Sequence, residues 1–405
     1  MTGVQGGYHG PMPRLARVTV GLLGLAVGLA LWLPAVHLPF RWLAPPSQWS
    51  AEGVPPRARK LALRHLLLWT DPALRAAELQ RMRKSNAEWD FMGRSFLAWS
   101  LANMALRDPA TKADALKVMD QIIDETLRLE REKGPEFFLM PYACARPFVM
   151  QPARSQFLDG EIALMLAMRR AVEERAEYRD LLAERVRLMV ARMEQSPVLS
   201  AESYPDECWT FCNSVALAAI RMEDWLDGTD HADLLARWVA TAKVRLVHPG
   251  TGLLVSSYKL DGTFLDGPEG SSIWLSIHML QLVDPDFARD QYQRARRELG
   301  RVVAGFGFSR EWPESWKGPM DIDSGLVVPV LEASPGGSGL ALIGAASFDD
   351  AAYLGALHAS LDFAAFPSET GGALRYCASN QVGDAVLLYS TLLGPMWKRV
   401  QGGRP

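Results

Sequence analysis

Residues able to move protons gather just before two apolar helical segments of this chain. Glu161 opens one segment, and Asp206, Cys208 and Cys212 surround the start of the next. A carboxyl group can act as a general acid or base, above all where partial burial raises its pKa. A cysteine near a helix N-terminus can have a depressed pKa and become a reactive thiolate. We predict that Glu161 is an acid or base and that Asp206 binds substrate or orients a thiol. We predict that Cys212 and Cys208 are reactive.

These residues also have ordinary structural explanations. Acidic residues before a helix are common caps that interact favourably with the helix dipole. A buried and inert state is the commonest one for a cysteine. Both explanations stay open from the sequence alone.

A further carboxylate lies in the loop DGPEG at residues 266–270. If Glu269 of this loop faces Glu161, the two form a pair that suits glycoside hydrolysis or sugar epimerisation. Tyr258, a few residues upstream, can stabilise a developing charge through its hydroxyl. Glu269 and Tyr258 are therefore also predicted to be catalytic.

Substrate-binding side chains are predicted in the same clusters that precede helices: Trp89, Asp90, Trp209, Asn213, Trp274 and Asp323. The three tryptophans would form a stacking wall for a sugar or an isoprenoid. Tryptophan is also a common core residue, so packing is the alternative role for each of them.

Helical periodicity dominates the chain and comes in pairs of segments. An apolar segment such as FLAWSLANMAL or EIALMLAMRRAV runs into a short turn, and a charged amphipathic segment follows. The turns lie near residues 108, 178, 228, 285 and 349, and DAVLLYSTLLGPMW is the last apolar segment. Apolar segments should be buried inner helices, and amphipathic segments should be outer helices. We predict an all-α fold, an (α/α)6 toroid of six helix hairpins, with an open helical array as the alternative.

The polar clusters precede the inner helices, at residues 88–90, 159–161, 205–213, 266–270, 321–325 and 383–384. If inner and outer helices alternate in direction, all six clusters lie at one end of the ring, which we call the mouth. Loops presented by one end of a rigid scaffold are a usual place for function.

The N-terminal segment predicts a membrane anchor. Residues 18–40 carry no charge and are mostly aliphatic, and about 20 apolar residues span a bilayer core. We divide the chain into a tail (1–17), a transmembrane anchor (18–40), a stiff proline-containing linker (41–60) and the toroid (61–400). No clear cleavage site follows the span, which favours an uncleaved anchor over a signal peptide. Arg14 and Arg17 before it slightly favour an extracytoplasmic domain.

Composition excludes several classes of protein. Among 405 residues the net charge is -3, and the sequence has no basic stripe, so no nucleic-acid partner is expected. Four cysteines are too few for a disulfide scaffold and include no paired CxxC motifs for zinc. The histidines are scattered, and we predict no metal and no cofactor.

Residues 205–232, PDECWTFCNSVALAAIRMEDWLDGTDHA, resemble the linalool dehydratase/isomerase family. The similarity extends over residues 90–395 and is strongest in 205–290. It implies an α/α toroid and cofactor-free acid–base chemistry on an allylic alcohol, with water loss or hydroxyl migration. Cys212 falls on the family's second catalytic cysteine, Ser203 on the first, Glu161 on an active-site histidine and Tyr258 on a pocket tyrosine. An aspartate and a tyrosine that the family contributes across a subunit contact have no convincing counterpart here.

The sequence therefore predicts a hydro-lyase or isomerase that acts on a hydroxylated, partly apolar small molecule such as a terpenoid alcohol. A carbohydrate-active enzyme of the cell envelope (a glycan hydrolase, lyase or epimerase) is one alternative, and a non-catalytic binding or scaffold protein is another. The expected partners are that substrate and the bilayer around the N-terminal helix. The oligomeric state is left open, including a homo-oligomer.

Overall fold

A computed structural model describes residues 13–320 and 325–403 of the chain. Asp323, which we predict to bind substrate, lies outside the described residues, as does most of the predicted N-terminal tail.

The described α-helices are joined alternately by short turns and by longer connections from α5 onwards. In chain order they are α1 (Arg14–Trp32), α2 (His37–Leu43), α3 (Pro56–Thr70), α4 (Pro72–Ser85), α5 (Ala87–Arg107), α6 (Lys112–Lys133), α7 (Gln156–Val172), α8 (Ala176–Met193), α9 (Thr210–Asp227), α10 (Ala232–Arg245), α11 (Gly270–Leu280), α12 (Pro285–Glu298), α13 (Pro335–Ser347), α14 (Ala351–Ala364), α15 (Gln381–Leu392) and α16 (Pro395–Gln401).

Six inner helices close into a ring, which confirms the predicted (α/α)6 toroid. Helices α5, α7, α9, α11, α13 and α15 each pack against the next, and α15 returns to α5. These helices are the apolar segments of the sequence, and they are buried on nearly all sides. In α7, for example, every residue from Gln156 to Ala171 is buried. The closed circle of contacts excludes the open array.

The outer layer differs from the prediction at one position. Helices α6, α8, α10, α12 and α14 each follow an inner helix, as five hairpins. The sixth inner helix, α15, is followed only by α16, which has seven residues and packs on α5. The outer place beside α15 is taken instead by α3, from the other end of the chain. The ring therefore has a seam where its first and last segments meet.

Ion pairs reinforce this seam. Arg64 of α3 pairs with Asp384 in the first turn of α15, and the Asp384 side chain is only 1% exposed. Lys60 of α3 pairs with Glu369 at 2.7 Å. Burial raises the pKa of Asp384 to about 6, and the Arg64 guanidinium works against that rise.

The described strands lie in the connections at the mouth end of the ring. They are β1 (Cys208–Trp209), β2 (Ser257–Tyr258), β3 (Phe264–Asp266), β4 (Gly300–Val303), β5 (Phe306–Arg310), β6 (Ala333–Ser334), β7 (Pro367–Thr370) and β8 (Ala373–Tyr376). They form the antiparallel sheets β1-β2-β3, β4-β5-β6 and β7-β8. The first of these sheets holds several of the predicted site residues.

The N-terminal segment is one helix, long and apolar enough to cross a membrane. A short 3-10 turn (Leu33–Ala35) joins α1 and α2, so Arg14–Leu43 forms a 30-residue helical stretch. No residue of α1 is buried. Helix α2, by contrast, packs on the toroid, where the Phe40 ring lies 5.4 Å from that of Phe363 and 6.0 Å from that of Phe306. Length and composition alone fit a membrane anchor or a signal sequence.

We expect Arg64→Met to destabilise the seam, because the buried Asp384 carboxyl would lose its cation and would either stay charged without it or have to take up a proton. The free energy of unfolding should fall by about 2–3 kcal/mol, measured by denaturant unfolding in detergent. Adding Asp384→Asn should restore much of the loss. The control is Arg59→Met, also on α3, whose partner Asp108 and own side chain are both partly exposed; it should change stability by less than about 1 kcal/mol. Equal effects at Arg64 and Arg59 would contradict the assignment.

Candidate active site

A close contact between α7 and α9 sets the position of Glu161. A side chain on Gly160 would meet the backbone nitrogen of Ala216 at 3.1 Å and its Cα at 3.3 Å, so only glycine fits there without movement. Ala216 lies one helical turn after Cys212, on the same side of α9. The contact therefore brings the residue after Gly160, which is Glu161, to the part of α9 that carries the thiol.

Glu161 is fully buried, and neither of its carboxyl oxygens has a hydrogen-bond partner among the described residues. Burial raises its pKa to about 8; the nearby Ser95 hydroxyl lowers the pKa, and the charge of Glu88 raises it further. Ser95 itself donates to the Phe91 carbonyl oxygen at 3.1 Å. At neutral pH the Glu161 carboxyl therefore holds its proton.

Cys212 lies beside this carboxyl, with 6% of its surface exposed. Burial raises the pKa of its thiol well above the usual value; the Ser203 hydroxyl lowers it, and the charge of Glu161 raises it. Ser203 is fully buried, and its hydroxyl oxygen also lacks a hydrogen-bond partner in the described chain. A carboxyl, a thiol and a hydroxyl thus meet at one dry point inside the mouth.

Asn213 and Glu202 hold the segment that carries Ser203. The Asn213 side chain accepts from the Ala201 N–H at 2.9 Å and donates to the carbonyl oxygens of Ala201 and Trp209 at 3.1 and 3.0 Å. Glu202 accepts three backbone N–H groups, those of Met150, Asp206 and Val149, at 2.6, 2.8 and 3.1 Å. The Asn213 amide is therefore engaged with backbone, and substrate binding by it stays a prediction.

Glu88 is a member of the cluster that the sequence did not single out. It lies on the face of α5 that carries Ser95, acts electrostatically on Glu161 and accepts a hydrogen bond from the Tyr204 hydroxyl. Asp90, which we predicted instead, is ion-paired with Arg94 at 2.8 Å and Arg83 at 3.4 Å. Two residues apart on a helix, Glu88 and Asp90 point in opposite directions.

Sheet β1-β2-β3 holds the other thiol and Tyr258. Cys208 pairs in register with Tyr258, so it lies on a strand and not on a helix face shared with Cys212. The Tyr258 hydroxyl lies 2.8 Å from Ser200 Oγ. Burial raises the pKa values of both Cys208 and Tyr258 well above their usual range, and neighbouring negative charges add to both shifts.

Asp206 belongs to the Cys208 side of the cluster. It sits in a tight turn with φ 54° and has an electrostatic effect on Cys208, not on Glu161. Trp209 donates from Nε1 to the Glu207 carboxylate, and Trp89 is half-buried against the core. These residues lie around the mouth, and their roles stay predictions.

Trp274 and Glu269 occupy different positions at the start of α11. Trp274 is fully buried, donates to Ser309 Oγ at 2.8 Å, and lies against Tyr292 and Tyr353 of the outer helices. Glu269 is buried just before the first turn of α11, and its backbone N–H donates to Ser256 Oγ at 2.8 Å. Of these carboxylates, Glu88 and not Glu269 contributes to the pKa of Glu161. Glu88 is therefore the carboxyl group that acts electrostatically on Glu161, and the predicted pairing of Glu161 with Glu269 stays a prediction.

One group in the described chain has the geometry to hold a metal ion: Glu223, Asp224 and His231, with ligand atoms within 4.8 Å of one another. It lies near the C-terminal end of α9, away from the mouth. His231 Nδ1 is 2.7 Å from Asp224 Oδ1, and Thr229 donates to both carboxylates. Hydrogen bonds within the turn account for this group.

The fold and the site define an α/α toroid with an acid–base cluster buried at one mouth. The family model of linalool dehydratase/isomerase matches residues 163–382, more than half of the chain. The chain belongs to this family, as the sequence resemblance predicts, and it is an enzyme related to dehydratases and isomerases. Cys212 and Tyr258 lie inside the matched range, and Glu161 lies just before it. Among solved structures, the chain is similar to the GH76 alpha-mannanase of Bacteroides thetaiotaomicron, with a TM-score of 0.47 and 11% identity over 77% of this chain and 87% of that one.

Cys208 and Cys212 are buried, and burial opposes the thiolate form that we predict for them. Desolvation disfavours the charged thiolate more than the nearby helix N-terminus favours it. We expect native protein at pH 8 to react with iodoacetamide first at exposed Cys144 and Cys377, and at least about tenfold more slowly at Cys208 and Cys212. Peptide mass spectrometry gives the rates, and unfolding in urea should make all four equal. If Cys212 were labelled fastest, the result would support the prediction of a reactive thiolate at that position.

Glu161→Gln should reveal the raised pKa as a change of stability with pH. In the unfolded chain Glu161 loses its proton near pH 4.5, whereas the folded protein keeps it to about pH 8. Rising pH therefore destabilises folded wild type across this window, and the variant does not titrate. From pH 5 to 9 stability should shift in favour of the variant by on the order of 3 kcal/mol, measured by unfolding in detergent. Glu132→Gln, at a half-exposed surface pair, should show no such shift, and parallel curves for Glu161→Gln would refute the assignment.

Proposed function

We propose that this enzyme removes water from an allylic alcohol, or moves its hydroxyl group, on a partly apolar substrate such as a terpenoid alcohol. The observation that carries the proposal is the Glu161 carboxyl, buried, without a hydrogen-bond partner and with a pKa of about 8. A general acid works best when its pKa lies near the operating pH. Glu161 is protonated at neutral pH and can give its proton to a substrate hydroxyl.

The reaction needs no redox partner. Glu161 donates its proton to the substrate oxygen. The C–O bond then breaks with both electrons going to oxygen, so that water departs and an allylic cation remains. A base then takes a proton from the neighbouring carbon, and the C–H electrons form the new double bond. If water instead adds to the other end of the allylic cation and loses a proton, the product is the isomeric alcohol.

Glu88 is suited to be the base. It accepts a hydrogen bond from the Tyr204 hydroxyl, whereas Glu161 accepts none in the described chain. A hydrogen-bond donor stabilises the charged form of a carboxyl group, and desolvation stabilises the neutral form. Two carboxyl groups whose surroundings differ in this way divide into a base and an acid.

Cys212 acts in this scheme as a neutral thiol. Its raised pKa keeps the proton on sulfur, so it can donate a weak hydrogen bond to the leaving oxygen together with Ser203. Tyr258, bonded to Ser200, fixes β2 behind the thiols.

We also propose that α1 is not cleaved and anchors the mature protein in the membrane. Its continuation, α2, is built into the toroid through Phe40, which lies between Phe306 and Phe363. A removable signal peptide would not carry part of the folded domain. Arg14 and Arg17 before the span favour a cytoplasmic N-terminus, hence an extracytoplasmic toroid.

The test uses full-length protein in nanodiscs with a panel of short prenyl alcohols and, separately, oligosaccharides. Incubation in water enriched in oxygen-18 detects C–O cleavage even when the equilibrium yields little product. The alcohol that re-forms takes its oxygen from the solvent and so gains the label. We expect exchange or diene formation with an allylic alcohol, and a loss of about 10²–10⁴-fold in Glu161→Gln. Glu132→Gln, at the surface, should match wild type.

Other outcomes would assign another function. Cleavage of an oligosaccharide that depends on both Glu161 and Glu269 would contradict the proposal and identify a carbohydrate-active enzyme. Full isotope exchange in Glu161→Gln would show that Glu161 is not the general acid. Failure of wild-type protein to react with any alcohol or sugar of the panel would favour a binding or scaffold protein.

A further inference from the structure

The N-terminal helix leaves the toroid at its mouth end. Helix α2 runs antiparallel to α14, since Phe40 lies beside Phe363 near the end of α14 and Arg41 lies beside Gly355 nearer its start. Helix α14 ends where the chain returns to the mouth to begin α15. Helix α1 precedes α2 in one 30-residue helical stretch, so it leaves the toroid at the mouth end and not at the opposite end.

The length of α1 sets the level of the bilayer relative to the toroid. Residues 18–36 carry no charge and rise about 28 Å as a helix, close to the thickness of the hydrocarbon core. With Arg17 at one boundary, the other boundary falls at His37. That residue lies against Gly305, which has φ 82° and leaves room for the His37 ring, at the tip of hairpin β4-β5.

Exposed apolar side chains are numerous at this end of the ring. We call six of them the mouth-end apolar surface: Val302, Val303, Leu326, Val330 and Phe366 in the connections and Phe363 near the end of α14, each between 46% and 98% exposed. Trp42 and Leu43, at the C-terminal end of α2, are exposed as well. The five hairpin turns at the opposite end carry no exposed large apolar residue in the part of the chain that the structure describes. Their acidic residues include Asp108, Glu173, Asp230, Asp284 and Asp350.

We infer that the toroid rests mouth-first on the bilayer that α1 spans, with the mouth-end apolar surface in the headgroup region, and that the substrate enters from the lipid. Phe363 connects the N-terminal helical segment with the mouth-end apolar surface. Its ring contacts Phe40 of α2 and Phe306 of the hairpin and is still 51% exposed. A large apolar surface at the level where a membrane helix emerges is expected to be covered by lipid. The docking stands apart from the reaction, whereas the entry route rests on the proposed function.

Depth-dependent fluorescence quenching tests the docking. Full-length protein with Cys144→Ser and Cys377→Ser is labelled with NBD at Val303→Cys or Phe366→Cys and placed in phosphatidylcholine liposomes containing doxyl-labelled lipid. Matched labels at Leu181→Cys, an exposed apolar site near the start of α8, and at Asp286→Cys report on the opposite end. We expect blue-shifted, strongly quenched emission at 303 and 366 and neither change at 181 and 286.

Three results would overturn the docking. They are unquenched, water-exposed labels at 303 and 366, equal quenching at both ends, or a blue shift without quenching, which would indicate a protein partner on this surface. Charged variants then test the route. Val303→Asp with Phe366→Asp should lower turnover of a long, membrane-embedded prenyl alcohol about tenfold or more, and leave a short soluble one unchanged. Leu181→Asp should affect neither.

The two ideas fail separately. Equal turnover of both alcohols in the charged variant, with quenching intact, overturns lipid entry and keeps the docking. Activity that survives in Glu161→Gln overturns the proposed reaction and leaves the quenching result in force.

Discussion

Closure of six apolar helices into a ring is the constraint on which the structure depends. Each inner helix gives up contact with water on almost every side, and the ring interior becomes a place where a charge is poorly solvated. A glycine at position 160 lets two of these helices meet at backbone distance. The same packing that stabilises the fold therefore removes water from the Glu161 carboxyl. The raised pKa of Glu161 is therefore a consequence of ring closure and needs no further interaction to explain it.

Burial acts differently on the two kinds of acidic group in this site. For a carboxyl, desolvation moves the pKa towards neutrality, where a proton can be both held and given. For a thiol, whose ordinary pKa is already above neutrality, desolvation moves the pKa away from the useful range. The resemblance to the family implies that Glu161 stands where relatives have a histidine and Ser203 where they have a cysteine. In the proposed reaction, proton transfer therefore falls to a carboxyl group.

The sequence was sufficient for the inner ring because long apolar segments that alternate with amphipathic ones leave little choice of structure. It did not reveal that α3 is the outer partner of α15. Which amphipathic helix packs beside α15 depends on the assembled ring, where no helix that directly follows α15 fills the outer position. At the start of α5 the necessary signal was present: Asp90 stands four residues before Arg94, a spacing typical of an ion pair, and this leaves Glu88 for the opposite face. Cys208 lies on β1 because α9 begins after it, and the Trp274 ring lies against Tyr292 and Tyr353 of distant helices; neither position follows from the local sequence.

The seam between α3 and α15 has a consequence for how the chain is made. Arg64 leaves the ribosome some 320 residues before its partner Asp384, and a domain of this kind is completed only when both are present. Until α15 is in place, the half-formed ring exposes the apolar sides of its inner helices. Helix α15 is thus the inner helix that closes the ring and seals its interior from water, and the Glu161 carboxyl is fully buried only when that helix has packed.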